Sequence, residues 1–290
     1  MSQFINRLIK YSGSILAILG LVFIFLKLYK YDIATILSSY TISDWLLFSG
    51  LILVYGFANI ILSLAWWYIL SGLGVKVDVH WTIKTYAVSQ ISKYVPGNIF
   101  QFVGRQALGM AKELPAWLLA KSSIWEIGLL AVAGSLFGFF VLPVFMKNNY
   151  TTIWVCLFLF LLTLCLAFFS IKKYLNPKFS SALLCHVGFL IISSLLFLIL
   201  ACLQDKSFEI VSLSNVFIIC GAYIVAWLAG LITPGSPAGV GVRELVLLFL
   251  LSGIIQESNL VTVIILGRLV TIGGDIVFYF SLAMNRAKSK

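Results

Sequence analysis

Charged residues are scarce in this chain. Only 10% of its 290 residues are Asp, Glu, Lys or Arg, against about 25% in soluble globular proteins. Hydrophobic residues make up 61%, which is more apolar surface than a soluble core needs. This composition excludes an ordinary soluble domain and predicts an all-α polytopic membrane protein. We expect a single transmembrane domain over residues 1–290.

The usual motifs of catalysis and metal binding are missing as well. The chain has only two histidines, His80 and His186, and its five cysteines show no CxxC spacing. It contains no HExxH, GxSxG or P-loop motif. We therefore expect no enzymatic activity, no cofactor and no metal ion. An intramembrane hydrolase would need a carboxylate pair or a nucleophile, and neither is recognisable.

Long apolar runs are what the chain does have, and they predict about eight transmembrane helices. The runs cover residues 12–28, 45–70, 117–145, 153–171, 182–203, 215–232, 240–254 and 260–284. The run at 240–254 is short, at roughly 22 Å as a helix. If it crosses, both termini lie on one side of the membrane; if it re-enters, seven crossings remain and the tail lies outside.

Basic residues outnumber acidic ones, and the formal net charge is +10. They cluster near the N-terminus, at 71–116, at 172–178 and in the tail. Basic loops stay in the cytoplasm, so we predict a bacterial-type inner (plasma) membrane protein with both termini cytoplasmic. The charge suits anionic lipid headgroups, and we expect no nucleic-acid partner.

Two apolar segments are interrupted by the only Pro-Gly pairs in the chain. In each, an arginine follows nine positions after the proline and is approached through glycine. We predict Pro/Gly-broken or re-entrant segments near 83–110 and 233–254, a pattern that marks binding sites in transporters. The first segment is open to three interpretations: a dipping hairpin, interfacial helices, or an amphipathic linker. The second could also be a plain loop before a helix end. The residues expected to shape the backbone are Pro96, Gly97, Gly104, Pro234, Gly235, Gly239 and Gly241.

The charges in and near these segments predict an anion-binding site. A broken helix presents free N–H groups to an anion, and arginine adds a fork that matches phosphate or carboxylate. The cations expected to hold the ligand are Lys93, Arg105, Arg243 and Arg268. The carboxylates expected to organise them are Glu126, Glu244 and Asp275. Arg243 and Glu244, adjacent in sequence, are interpreted as a charge pair. Arg268 and Asp275 share a helix face but lie too far apart to pair, so each should meet another group.

Three stretches resemble the lysylphosphatidylglycerol synthase transmembrane-region family, which includes the membrane part of the bacterial multiple-peptide-resistance factor. They read KYVPGNIFQFVGR, TPGSPAGVGVRELVLLFLL and GRLVTIGGD. The resemblance implies a flippase-like module that moves lipid between leaflets. Because the chain ends at Lys290, we expect the synthase activity of the bifunctional members not to carry over.

These observations together predict an inner-membrane transporter of an anionic phospholipid or a lipid-linked glycan precursor. Its expected partners are that lipid, the membrane and a separate transferase enzyme. The alternative is a non-catalytic membrane scaffold or subunit for a glycosyl- or aminoacyl-transferase in cell-envelope biosynthesis.

Overall fold

The computed structural model describes residues 40–94, 99–146, 150–204, 212–233 and 236–283. Within these ranges the regular structure is helical, without a β-strand. In chain order the helices are α1 (Ile42–Gly72), α2 (Val79–Gln90), α3 (Phe100–Met110), α4 (Ala116–Leu136), α5 (Leu142–Phe145), α6 (Tyr150–Tyr174), α7 (Pro177–Gln204), α8 (Leu213–Ile232), α9 (Val242–Leu251) and α10 (Glu257–Ala283). Single 3-10 turns lie after α2, α4 and α8, at Ile91–Tyr94, Phe137–Val141 and Pro237–Gly239.

Six helical stretches in the described residues are long and apolar enough to cross a membrane. They are Ile42–Gly72, Ala116–Phe145, Thr151–Tyr174, Pro177–Gln204, Leu213–Ile232 and Glu257–Leu282. Each corresponds to a predicted span, so the prediction of an all-α, multi-pass membrane protein is confirmed. Within the residues that the structure describes, the predicted count of about eight is not reached.

The two remaining predicted spans have different outcomes. The run at 12–28 lies outside the described residues. The run at 240–254 contains only the ten-residue helix α9, which is about 15 Å long and too short to cross. The crossing that the count of eight required is therefore not found, because the chain turns at 236–241 and the helix ends at Ser252.

Helices α1 and α7 lie side by side in the bundle and run antiparallel. Gly72 at the end of α1 lies against Phe179 at the start of α7. Tyr55, earlier in α1, meets the Phe189 ring edge-on at 5.9 Å between centroids. Helix α10 runs parallel to α1, since Gly273 lies against Ile52 and the next turn of α10 lies against the next turn of α1.

The two ends of the bundle differ in charge. We call the end that contains Gly72 and Phe179 the basic end, and the opposite one the acidic end. The described charged residues at or near the basic end are Lys76, Lys84, Lys112, Lys121, Lys172, Lys173 and Lys178, with Asp78 and Glu113. At the acidic end the described charged residues are Asp44 and Glu257. Because α10 runs parallel to α1, its C-terminal turn lies towards the basic end.

The first broken segment is a helical hairpin that enters from the basic end. Its arms are α2 with the following 3-10 turn, and α3. Lys112, just after α3, lies 4.6 Å from the ring centroid of Trp81 at the start of α2, so both arms open at the same end. The two arms pack against each other at Gly104 and Ser89, where a Cβ on Gly104 would make an ordinary van der Waals contact of 3.4 Å. The two described arms therefore pack side by side as a helical hairpin, and its position relative to a membrane stays a prediction.

The second broken segment, α8 and α9, is a hairpin that enters from the acidic end. Phe217 near the start of α8 contacts Phe140, at 4.8 Å between ring centroids. Phe249 near the end of α9 lies 6.5 Å from Phe145 by the same measure. Both partners belong to the part of the α4–α5 stretch that reaches the acidic end.

The two hairpins point towards each other and meet inside the bundle. The 3-10 turn of the first, Ile91–Tyr94, contacts the 3-10 turn of the second, Pro237–Gly239. The chain thus repeats one arrangement in opposite directions: α1, hairpin and α4, then α7, hairpin and α10. The two 3-10 turns, one from each hairpin, lie next to each other within it.

Candidate anion-binding site

Seven charged residues gather where the hairpins meet, and we call them the charge cluster. They are Lys93, Arg105, Glu126, Arg243, Glu244, Arg268 and Asp275, the charged residues that the sequence singled out. Their carboxylates are at most 3% exposed. Charges buried in this way need partners, since leaving one unpaired costs several kcal/mol, by order of magnitude.

Asp275 holds the tip of the first hairpin. Its Oδ2 lies 2.5 Å from Lys93 Nζ and accepts a hydrogen bond from the Tyr94 hydroxyl at 2.5 Å. Its Oδ1 accepts from the side-chain amide of Asn59 at 3.2 Å. The carboxylate of α10 thereby joins α1 to the first hairpin, which explains why Asp275 can be completely buried.

Arg105 and Glu126 form a second buried pair, between α3 and α4. Arg105 donates from a terminal guanidinium nitrogen to Glu126 Oε2 at 2.6 Å, and the Tyr86 hydroxyl donates to Oε1 at 2.9 Å. The guanidinium carbon lies 4.3 Å from the Tyr86 ring centroid and 5.3 Å from that of Trp66. Aromatic faces and one carboxylate thus enclose a cation that is only 2% exposed.

Arg268 and Glu244 form the third pair, between α10 and α9. Arg268 Nε donates to Glu244 Oε1 at 2.5 Å, and its terminal nitrogens donate to the carbonyls of Ala238 at 2.9 Å and Gly239 at 3.1 Å. Glu244 Oε2 accepts from the Gly241 amide at 2.7 Å. Arg268 therefore supplies partners for carbonyls that the broken helix leaves free.

Arg243 is the cation of the cluster that pairs with no carboxylate among the described residues. Its buried Nε has no hydrogen-bond acceptor there. Its guanidinium carbon lies 5.2 Å from the ring centroid of Trp227. The side chain runs past Gly230 and Gly239, where an added Cβ would lie within 2.9 Å of Arg243 atoms.

The predicted pairing of Arg243 with Glu244 is wrong. Consecutive residues of a helix point about 100° apart, so they do not face each other. Glu244 turns instead to Arg268 and the Gly241 amide. The prediction that Arg268 and Asp275 do not pair is confirmed, because Arg268 meets Glu244 and Asp275 meets Lys93.

Two small cavities open inside the cluster, and Arg243 lines both. One has a volume of about 40 Å³, and its wall includes Lys93, Glu126 and Trp227. The other has a volume of about 20 Å³ and is lined by Glu244 and Arg268. A buried water needs roughly 10–15 Å³ of cavity volume measured in this way. The two cavities together therefore admit only a few water molecules.

Of the seven residues expected to shape the backbone, Gly104 lies within α3 without a positive φ. Pro96, Gly97, Pro234 and Gly235 lie outside the described residues. Gly239 and Gly241 have φ of +71° and +87°, which L side chains rarely adopt. They turn the chain from α8 into α9 and bring the Gly239 backbone against Gly230.

Sequence reasoning missed the uncharged partners of the cluster. Its carboxylates accept hydrogen bonds from Tyr86, Tyr94 and Asn59. The Trp227 ring lies against the Arg243 guanidinium. Tyr94 could have been noticed, because it belongs to the KYVPGN segment, and Tyr86 lies seven residues before that segment. Nothing in the local sequence marks Asn59 or Trp227, whose roles depend on helix packing.

No known protein family matches the chain, and no curated protein matches it in sequence.

Proposed function

We propose that this protein is a flippase-like transporter that moves an anionic lipid between membrane leaflets. The substrate class is an anionic phospholipid or a lipid-linked glycan precursor. One observation carries the proposal: Arg243, on the second hairpin, lines a cavity that both hairpins border and has no carboxylate partner among the described residues.

The energetic argument rests on the cost of an unpaired cation in an apolar bundle. A charged side chain at the centre of a bilayer costs about 2.5 kcal/mol or more. The other three cations of the cluster each form an ion pair with a carboxylate. Among the described cluster residues, Arg243 therefore bears this cost in the conformation seen here. An anionic group that reaches it removes the cost, which favours binding at that depth.

The opposed hairpins support transport over static binding. Each opens towards a different end of the bundle, and their tips meet at the charge cluster. Sites at the meeting point of oppositely oriented broken helices are typical of transporters that expose one site to each side in turn. The resemblance to the lysylphosphatidylglycerol synthase transmembrane-region family is in keeping with a lipid as the cargo.

The charge asymmetry supports one orientation in a bacterial-type inner membrane. With lysines concentrated at the basic end, the positive-inside rule places that end in the cytoplasm. Helix α10 runs towards it, so we propose a cytoplasmic C-terminus and, in line with the basic N-terminal residues Arg7 and Lys10, a cytoplasmic N-terminus. In this orientation α8 and α9 enter and leave at the acidic end, so α8 does not cross although its length and composition would allow it. The second hairpin re-enters, and the tail stays on the cytoplasmic side.

Replacing Arg243 tests the function. Arg243→Ala should lower leaflet exchange of a labelled anionic phospholipid at least tenfold, because the uncompensated cation is gone. The measurement is exchange in vesicles reconstituted with the purified protein. Arg243→Lys should retain part of the rate, since it keeps the charge but loses the planar fork.

Lys121→Ala is the matched control. Lys121 is an exposed cation on α4, outside the cluster, and its loss should leave exchange unchanged. Full activity in Arg243→Ala would remove the site assignment. Absence of exchange by the unaltered protein, together with co-purification of a transferase, would instead support the scaffold alternative.

A further inference from the structure

The charge cluster carries a definite net charge. It contains four cations and three carboxylates, so its formal charge is 4 − 3 = +1. Each carboxylate is bound to one cation: Asp275 to Lys93, Glu126 to Arg105 and Glu244 to Arg268. The excess of one positive charge therefore resides on Arg243.

The carboxylates and cations of the three pairs also form further hydrogen bonds, which fix the cations in place. Both oxygens of every carboxylate accept a hydrogen bond or an ion pair in the described residues. The terminal nitrogens of Arg268 also donate hydrogen bonds to the carbonyls of Ala238 and Gly239. Releasing any of these cations to a ligand would strand a buried carboxylate, at a cost of about 3–5 kcal/mol.

Resting on the proposed function, we infer that the site selects a headgroup with one negative charge, as in a phosphodiester. A single charge neutralises Arg243 and leaves the three pairs intact. A phosphomonoester carries about −1.5 to −2 at pH 7, and a diphosphate linkage carries at least two charges. Either would leave excess negative charge in a low-dielectric site. This separates the two substrate classes and favours the phosphodiester lipid over the diphosphate-linked precursor.

The surroundings of Arg243 agree with a ligand that carries one negative charge and contacts only this cation. Nε is buried and has no acceptor among the described residues, so it can donate a hydrogen bond to one phosphate oxygen. Trp227 covers one side of the guanidinium. The nearest other cations, Lys93 and Arg268, are each bound to a carboxylate at 2.5 Å.

The test compares three lipids with the same reconstituted full-length protein. The probes are acyl-labelled phosphatidylglycerol (a diester with one charge), phosphatidate (a monoester) and a polyprenyl diphosphate. At pH 8 we expect exchange of phosphatidylglycerol to exceed that of either other lipid at least tenfold. As the pH falls to 5, phosphatidate takes up a proton near pH 6, and its exchange should rise towards the phosphatidylglycerol rate measured at the same pH.

A charge-changing variant provides an independent measurement. Glu244→Gln frees Arg268 and raises the cluster charge to +2, while the amide still offers an oxygen to the Gly241 amide. The ratio of phosphatidate to phosphatidylglycerol exchange at pH 8 should rise at least tenfold. If this variant does not fold, Glu126→Gln makes the same change at Arg105.

The outcomes separate the selectivity from the function. Exchange of all three lipids at one rate, or faster exchange of the diphosphate lipid, overturns the single-charge selection and leaves lipid transport standing. No exchange of any lipid above protein-free vesicles overturns the proposed function itself. A preference for phosphatidylglycerol that Glu244→Gln relaxes supports the inference.

Discussion

At the scale of single residues, the molecule tolerates buried charge by pairing it locally. Arg105 and Glu126 are each 2% exposed and lie between α3 and α4. Such pairs add little net stability over well-packed apolar residues, yet removing one partner is strongly destabilising. The pair therefore fixes the position of α3 more than it strengthens the fold.

This asymmetry predicts opposite results for single and double variants. Glu126→Ala should lower the free energy of unfolding by about 3–5 kcal/mol, because Arg105 stays buried without a carboxylate. Arg105→Met combined with Glu126→Leu should regain most of that loss. Unfolding of the purified protein in detergent measures both, with Lys121→Ala as reference. A double variant as unstable as the single one would contradict the explanation.

At the scale of elements, close backbone approach brings the second hairpin to its partner residues. A Cβ on Gly230 would lie 2.7 Å from Arg243 Cγ and 3.0 Å from the Gly239 Cα. Real Cβ atoms essentially never show a contact of 2.7 Å, so the Arg243 side chain or the turn would have to shift. Small residues of this kind let helices approach closely in membranes.

Gly230→Ala should therefore disturb transport by moving Arg243. We expect at least a tenfold loss of exchange, with a stability cost of about 1–3 kcal/mol from overpacking. Gly188→Ala on α7 is the control, because an added Cβ there meets nothing within 4 Å. If Gly230→Ala exchanged lipid like the unaltered protein, the position of Arg243 would not depend on this contact.

The helices themselves were largely predictable, and the contacts between them were not. Apolar runs located the six long helices because a membrane span requires about 20 apolar residues. The same runs misjudged 240–254, where apolar character continues through a turn and a half-length helix. The seven charges were found because charge is rare in this chain, but their pairing was not, since Lys93 and Asp275 meet only through the fold.

At the scale of the whole molecule, the charge asymmetry predicts the side on which the tail lies. A cysteine placed after Lys288 should react with a membrane-impermeant thiol reagent only from the cytoplasmic side, because α10 runs towards the basic end. Ser43→Cys at the exposed start of α1 should react only from the opposite side. Labelling of both positions from one side would contradict the orientation.

The ion pair at the tip of the first hairpin also bears on biosynthesis. Tyr94 and Asp275 are 181 residues apart in sequence, and Lys93 shares the same carboxylate. When the ribosome has made the first hairpin, the acid that neutralises its tip does not yet exist. The pair closes only after α10 has been synthesised, so the first hairpin acquires its final contacts when the last helix joins the bundle.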